Sequence, residues 1–273
     1  MRAIDVRHKG REKVICCWEV DGVLIDPGPG ITEETLLGEL GEGYEPRAIL
    51  LTHIHFDHAG ATGSLVRRWP QVPVYVHERG APHMVDPAKL LASAGRLYGG
   101  DQGLLDLWGE FIPVPEENLR VLEGGETVEG FEVAYTPGHA SHHVAYFQPD
   151  SGYAFVGDVG GARIPPHAFT VAPTPPPDID VATWKESVAK IRAWSPQRVG
   201  MTHFGDAPAD EQLEAVLEAL DFQVSLPDDE AAFVAAMDAR IREGCGEDAE
   251  AMIQATPLDQ LHMGLARWRK KFG

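Results

Sequence analysis

The sequence predicts an α+β fold: two β-sheets packed face to face, helices on their outer surfaces, and a helical tail. Short apolar runs of strand length recur between residues 14 and 201, separated by helix signals and turn residues. Some of these runs are apolar throughout, the pattern of strands covered on both faces. Beyond residue 203 the apolar side chains recur at helical spacing instead.

The elements follow in order. Residues 14–20 and 23–25 flank Asp21-Gly22, a tight-turn pair, so the chain opens with a hairpin. Asp26-Pro27-Gly28-Pro29-Gly30 ends it. Thr32 before Glu33 and Glu34 marks a helix start, with anions where the helix dipole favours them. Residues 48–51 read as a buried strand running directly into Thr52-His53-Ile54-His55-Phe56-Asp57-His58. A short helix over 64–69 and a strand over 72–76 come next. Residues 83–118, irregular and rich in Gly, Leu and Trp, are expected to be a partly helical insertion.

Strand character returns at 132–135, 144–147, 154–156 and 198–201. Between the last two, residues 165–177 are too proline-dense for regular structure, and Trp184, Val188 and Ile191 then mark a helix. After His203 the chain is expected to be wholly helical, with apolar stripes through Leu213/Val216/Leu220, Phe233/Met237/Ile241 and Leu258/Leu261/Leu265. The expected division is a catalytic domain over 1–210, carrying the insertion 83–118, and a helical C-terminal extension over 211–273.

Composition narrows the class. With 273 residues and 44% hydrophobic side chains, the chain can bury a sizeable core. Its 42 acidic against 23 basic residues give a net charge of -19, which repels phosphate backbones and argues against nucleic acid as a partner. Cys16 and Cys17 are neighbours that point to opposite faces on a strand, so no bridge forms between them. No signal-peptide core or membrane-length apolar run is visible, so a cytoplasmic protein acting on a small molecule is expected.

The chemistry is concentrated. Of twelve histidines, seven fall at three places: 53–58, 139–143 and 203. His53, His55, Asp57 and His58 sit in a bend after a buried strand, where alternate side chains can be aimed into one cavity. Imidazole and carboxylate suit zinc, iron or manganese. Three further candidates stand at turns or strand ends: His139 in Thr-Pro-Gly-His, Asp158 in Gly-Asp and His203 in Thr-His. Gly138 and Gly157 let the backbone turn sharply beside them. Asp26 reads as a supporting residue rather than a ligand. His142 and His143 follow His139, and alternation would point one of them towards the site. His77, His83 and His167 stand alone, and Tyr98 and Trp108 read first as packing residues. The cations at the end of the tail, Arg267, Arg269, Lys270 and Lys271, suit a helix C-terminus.

This pattern resembles the metallo-β-lactamase superfamily. Its signature, H-x-H-x-D-H followed by a distant His, an Asp and a final His, is filled here by His53, His55, Asp57, His58, His139, Asp158 and His203 in order. Leu24-Ile25-Asp26-Pro27-Gly28 also matches the superfamily's early strand-end motif, and the resemblance covers residues 14–205. It implies a four-layer αβ/βα sandwich and two divalent metal ions, zinc first, with iron or manganese as alternatives. His53, His55 and His139 would hold one ion; Asp57, His58 and His203 the other; Asp158 would bridge them. Hydroxide shared by the pair would attack the carbonyl, with Asp57 orienting it and passing a proton.

The resemblance also ranks activities. Asp158 argues against a true β-lactamase, and the acidic surface against a phosphodiesterase or nuclease. Hydrolysis of a thioester, lactone or related ester remains. Thr-Pro-Gly-His and the helical tail look like glyoxalase II, and His-Phe-Asp-His-Ala-Gly looks like the acyl-homoserine lactonases. A mononuclear iron persulfide dioxygenase is the non-hydrolytic alternative. The apolar residues of 83–118 and the tail would form either a substrate lid or a homodimer interface.

Overall fold

The computed structural model describes residues 1–272. One sheet takes its strands in sequence order: β1 (Arg2–Asp5), β2 (Cys16–Val20), β3 (Val23–Ile25), β4 (Ala48–Leu50), β5 (Val74–His77) and β6 (Leu119–Leu122). Pairing is antiparallel from β1 to β3 and parallel from β3 to β6. The other sheet holds β7 (Thr127–Val128), β8 (Phe131–Tyr135), β9 (Val144–Gln148), β10 (Tyr153–Phe155), β11 (Arg198–Met201) and β12 (Gly205–Pro208). Its pairs are antiparallel except β10 with β11.

The opening hairpin forms where expected. Asp21 (φ 51°) and Gly22 (φ 83°) both take positive φ, the backbone of a two-residue turn whose twist matches its strands. The sheets pack through Trp18, Ile25, Leu50, Phe131, Tyr146 and Phe155, which form a separate core between them. Burying side chains of this size contributes about 1.5–3 kcal/mol each. The opposite faces meet helices. Cys17, Leu24 and Ile49, one residue out of step with Cys16, Val23 and Ala48, belong to that second core. Both faces of the central strands are therefore covered, which is why they read as unbroken apolar runs.

Helices α1 (Glu33–Leu40), α2 (Phe56–Ala59) and α3 (Thr62–Arg68) lie between β3 and β5. At the start of α1 the Thr32 hydroxyl donates to the Pro29 carbonyl (2.9 Å) rather than capping the helix. Between β5 and β6 run α4 (Ala81–Val85), α5 (Ala88–Gly95) and α6 (Gly100–Trp108). Helix α7 (Val181–Ala193) is capped by Asp180, which accepts from Thr183 N (3.1 Å), and buries Trp184, Val188 and Ile191 as its spacing predicts. Helix α8 (Ala209–Ser225) packs on α7, β11 and β12, while α9 (Glu230–Cys245), α10 (Ala249–Ala255) and α11 (Leu258–Phe272) pack among themselves.

The expectation of an all-helical chain after His203 is corrected by β12. Its sequence, Gly-Asp-Ala-Pro, carries no apolar alternation; it pairs with β11 only because the chain reverses at residues 202–204. Such a strand suits an edge, where Pro is tolerated. Strands β1, β6 and β7 were likewise without a clear signal, and each is short and at a sheet edge.

Two contacts tie the sheets together beneath the site. Val144 N donates to Thr52 O (2.8 Å), and Cys16 N to Thr202 O (2.9 Å). The ends of β4, β10 and β11 are thereby brought to one edge.

Candidate metal centre and its cavity

That edge gathers all seven candidates. After β4 the chain leaves the sheet, and His53 and His55 project inward. The ligand-type atoms of His53, His55 and His139 lie within 4.8 Å of one another, as do those of Asp57, His58 and His203. His55 Nδ1 is 3.0 Å from both His53 Nε2 and His139 Nε2. Asp158 stands between the two sets. Its Oδ1 is 3.2 Å from His58 Nε2 and 3.6 Å from His203 Nε2, and its Oδ2 is 3.4 Å from His139 Nε2. Asp57 Oδ2 lies 3.2 Å from His203 Nε2.

Three of the imidazoles are held from behind. His139 Nδ1 donates to Pro173 O (2.8 Å) and His203 Nδ1 to Val14 O (2.7 Å). Those bonds turn each Nε2 lone pair inward. His58 Nδ1 donates to Asp26 Oδ2 (2.8 Å). Asp26 is completely buried and also accepts from Thr52 N (2.8 Å), Thr52 Oγ1 (2.6 Å) and Thr202 Oγ1 (2.9 Å). Asp26 is thus the supporting residue the sequence suggested.

The two glycines are needed for close approach. At Gly138 (φ 133°) a Cβ would meet the Trp184 backbone at 2.4 Å. At Gly157 (φ 45°) it would meet Thr52 Oγ1 at 2.6 Å and His143 Nε2 at 2.8 Å.

The electrostatics divide the cluster. Burial first, then the neighbouring imidazoles, holds His53 well below the ordinary histidine value; burial and His139 bring His55 to about 4. Burial also lowers His139. These rings carry free lone pairs near neutrality, the form a metal ligand needs. Burial pushes His58 and His203 down too, but carboxylates, Asp158 foremost, outweigh it and raise both. Asp57 and Asp158 would be raised by burial; the adjacent imidazoles, His58 foremost, instead hold both below the usual carboxylate range.

His58 Nε2, His203 Nε2 and Asp158 Oδ1 are buried without a hydrogen-bond partner among the described residues, their short separations being off the bonding direction. Stranded buried polar atoms cost about 1–3 kcal/mol each. Divalent cations between the sets would satisfy all three. Imidazole nitrogens with a central carboxylate are a donor set that zinc, iron or manganese accepts, so the residues fit two such ions.

A cavity of about 350 Å³ opens above the cluster, with His55, Asp57, Asp158 and His203 in its lining. Its walls come from distant stretches: Leu90, Leu97, Tyr98 and Trp108 from the insertion, Pro173 and Pro175–Pro177 from the proline-rich loop, and Thr256, Pro257, Gln260 and Leu261 near the end of the chain. Trp108 stacks on His8 (5.0 Å between ring centroids, 7° between planes) and meets Tyr98 edge-on. His8 Nε2 in turn donates to Leu107 O (2.7 Å). Sequence reasoning missed His8, because its partners lie about a hundred residues away and no local spacing announces them.

The other histidines separate. His143 is buried, with Nδ1 2.9 Å from the Thr136 hydroxyl, whereas His142 and His83 line the cavity. His77 stacks on Tyr135 and His167 approaches Asp248 (3.1 Å), both outside the cavity lining. Arg269 pairs with Asp228 (3.0 Å) and donates to the Val224 and Leu226 carbonyls, a structural use of one tail cation.

Comparison with known proteins agrees with this geometry. The family model described as the metallo-beta-lactamase superfamily matches residues 19–233. The chain belongs to the metallo-β-lactamase superfamily. It is similar to the metallo-beta-lactamase fold-containing protein ST1585 of Sulfurisphaera tokodaii, 29% identical over 231 residues, covering 78% of this chain and 80% of that one. Superposed on the crystal structure of ST1585, it gives a TM-score of 0.67 at 23% identity over 94% and 93% of the two chains, a likeness of fold. TTHA1623 in a di-iron-bound form gives 0.58 at 31% identity, over 74% of this chain and 93% of that one. A hydroxyacylglutathione hydrolase of Xylella fastidiosa is 32% identical over 136 residues, 50% of this chain and 40% of that enzyme. The chain spans about half the length of several curated relatives it matches. Among the described residues, no helix is long and apolar enough to cross a membrane.

Proposed function

We propose that this superfamily member is a dinuclear metal hydrolase that cleaves the acyl C–S or C–O bond of a thioester, lactone or related ester in a small molecule, water adding at the carbonyl carbon and the thiol or alcohol leaving. The observation that carries the reading is Asp158, whose two oxygens face different ligand sets across 3.2 and 3.4 Å. An anion in that position suits a pair of cations sharing it. Zinc is the first choice, and the di-iron form of TTHA1623 supports iron as the alternative. When bound, such ions lower the pKa of water from about 16 towards 7 and polarise a carbonyl oxygen.

The chain's own groups do the rest. His53, His55 and His139 on one side, and Asp57, His58 and His203 on the other, would hold the ions, with the Asp158 carboxylate placed between the two sets. Asp57 also lies on the cavity floor, where its carboxylate can orient the attacking water and pass a proton to the leaving group. The apolar walls exclude water and receive an acyl chain, an arrangement suited to esters and thioesters. The likeness to a hydroxyacylglutathione hydrolase supports a thioester, and the charge of -19 speaks against a nucleic acid. In this reading residues 1–210 are the catalytic domain and 211–273 the helical extension. Residues 83–118 and the tail form a substrate wall rather than a dimer interface, and the protein works in the cytoplasm.

Elemental analysis of protein purified without added metal, with a thioester and lactone panel on the same sample, tests the reading. About two transition-metal ions per chain and ester turnover are expected. A chain that takes up no metal on reconstitution would overturn it. One iron per chain with oxygen consumed on a persulfide would favour the dioxygenase instead.

A further inference from the structure

We propose that His142 is a catalytic hydrogen-bond donor, its Nε2–H held towards the cavity to bind the substrate oxygen on which negative charge grows. The proposal rests on the hydrolytic reading above and concerns a residue outside the seven ligand positions.

The local chain aims the ring. Ser141 is pinned by Asp178, whose Oδ2 accepts from Ser141 N (3.2 Å) and Ser141 Oγ (2.6 Å). His143 turns inward to Thr136. His142, between them, is sent to the other side and lines the cavity. Its ring stands beside the first ligand set, nearly parallel to His53 (14°, centroids 6.1 Å apart) and perpendicular to His55 (89°, 5.7 Å).

The backbone assigns its proton. Ile54 N donates to His142 Nδ1 (3.4 Å). A nitrogen that accepts must present a lone pair, so the proton of the neutral ring sits on Nε2. Nε2 has no hydrogen-bond partner among the described residues, yet it is absent from the buried, stranded polar atoms. It is an accessible donor in a cavity whose floor is a cluster of metal-ligand side chains. One bond from behind and ring packing on two sides hold it before substrate arrives. A donor fixed in advance, where charge develops, lowers the barrier without reorganising.

A purely structural role is also written in the geometry, because Ile54 lies between His53 and His55 and the Nδ1 contact could serve only to hold that segment. The two roles use different ring atoms, so two substitutions separate them. In His142→Asn the side-chain oxygen reaches the Nδ1 position, keeping the Ile54 contact and losing the cavity donor. In His142→Gln the amide nitrogen reaches the Nε2 position. With the best substrate of the ester panel, His142→Asn should lose about 100-fold or more in kcat, with KM, melting temperature and metal content near wild type. His142→Gln should recover most of that loss. The reverse ranking, or two variants as active as wild type, would overturn the donor role and leave the hydrolytic reading intact.

A binding readout covers the case in which the wild type turns over no ester. Histidine ring NMR on the zinc-loaded protein should show the His142 Nε2–H form and a shift of that signal when butyrate, a carboxylate product, is added. His142→Asn should bind butyrate about tenfold more weakly. A signal for the Nδ1–H form, or one indifferent to butyrate, would overturn the proposal whatever the turnover.

Discussion

Replacing Asp26 tests how the cluster is supported. Asp26 has no exposure and accepts from Thr52 N, Thr52 Oγ1, Thr202 Oγ1 and His58 Nδ1, all within 2.6–2.9 Å. In Asp26→Ala those donors lose their acceptor. The Thr52 hydroxyl is partly compensated, since it already lies 3.1 Å from His53 Nδ1. Thr52 N and His58 Nδ1 are not. Removing one member of a buried charged network costs roughly 3–5 kcal/mol, a fall in melting temperature on the order of 10 °C. Freed from Asp26, the His58 ring also loses its aim, and loss of such a partner weakens metal binding about 10–100-fold. Asp26→Asn keeps the shape and one acceptor oxygen, so it should fall between wild type and Asp26→Ala and retain some metal. Urea unfolding of the metal-free protein gives the first number, and zinc competition against a chromogenic chelator the second. If Asp26→Ala unfolds at the wild-type urea concentration and binds zinc as tightly, the carboxylate does not organise the site.

Three further outcomes are expected. Asp158→Ala removes the carboxylate between the ligand sets and should cut turnover on the order of a thousandfold while emptying at least one metal position, which elemental analysis would read. Trp108 is half-buried and lines the cavity, so Trp108→Ala should raise KM or change acyl-chain preference. Its stability cost should stay below the roughly 3–5 kcal/mol of a fully buried aromatic, and a collapse in stability with unchanged kinetics in the folded fraction would make it a packing residue. In metal-free protein the raised values of His58 and His203 give stability that is complete below the ordinary value of 6.5 and lost as pH rises through the folded-state values. The depressed Asp57 and Asp158 act the other way, their share being present above the ordinary 3.8 and lost on acidification. Melting with chelator should therefore weaken on the alkaline side of neutrality and zinc should remove that loss; a metal-free melting temperature that climbs steadily with alkalinity would contradict the assignment.

The legible parts of the sequence were those whose chemistry or spacing is local. His53 to His58 announce themselves by residue type, the β2–β3 turn by Asp21-Gly22, and α7 by the period of Trp184, Val188 and Ile191. Some edge strands were illegible because little in them alternates: β6 exposes Arg120 and Val121, and β12 is held by its pairing with β11. The candidate ligands could be read, and residues 83–118 and the tail were expected as either a substrate lid or a dimer interface, but the contacts that build the cavity could not be read. Its walls depend on meetings such as His8 with Trp108 and Tyr98 with Gln260 (3.2 Å), separated by a hundred residues or more. His142 falls between these cases. Strand alternation in the adjacent His142-His143 pair would send one ring towards the site, a bland strand or loop being the equal alternative, and the Ile54 and Thr136 contacts show which ring it is.

The cavity walls have a consequence for how such a protein changes over generations. Among the candidate ligands, His58, His139 and His203 are braced from behind by Asp26, Pro173 and Val14, whereas Leu90, Leu97, Tyr98 and Trp108 belong to one inserted stretch and Thr256, Pro257, Gln260 and Leu261 to another part of the chain. In the proposed function, reactivity and substrate choice are thus carried by largely separate passages of the sequence, Val14 and Pro173 being shared because they brace ligand candidates and also line the cavity. Drift in the inserted stretch or near the chain end can reshape what enters without disturbing the groups that react, so paralogues of this architecture can diverge in what they consume while their reaction stays the same.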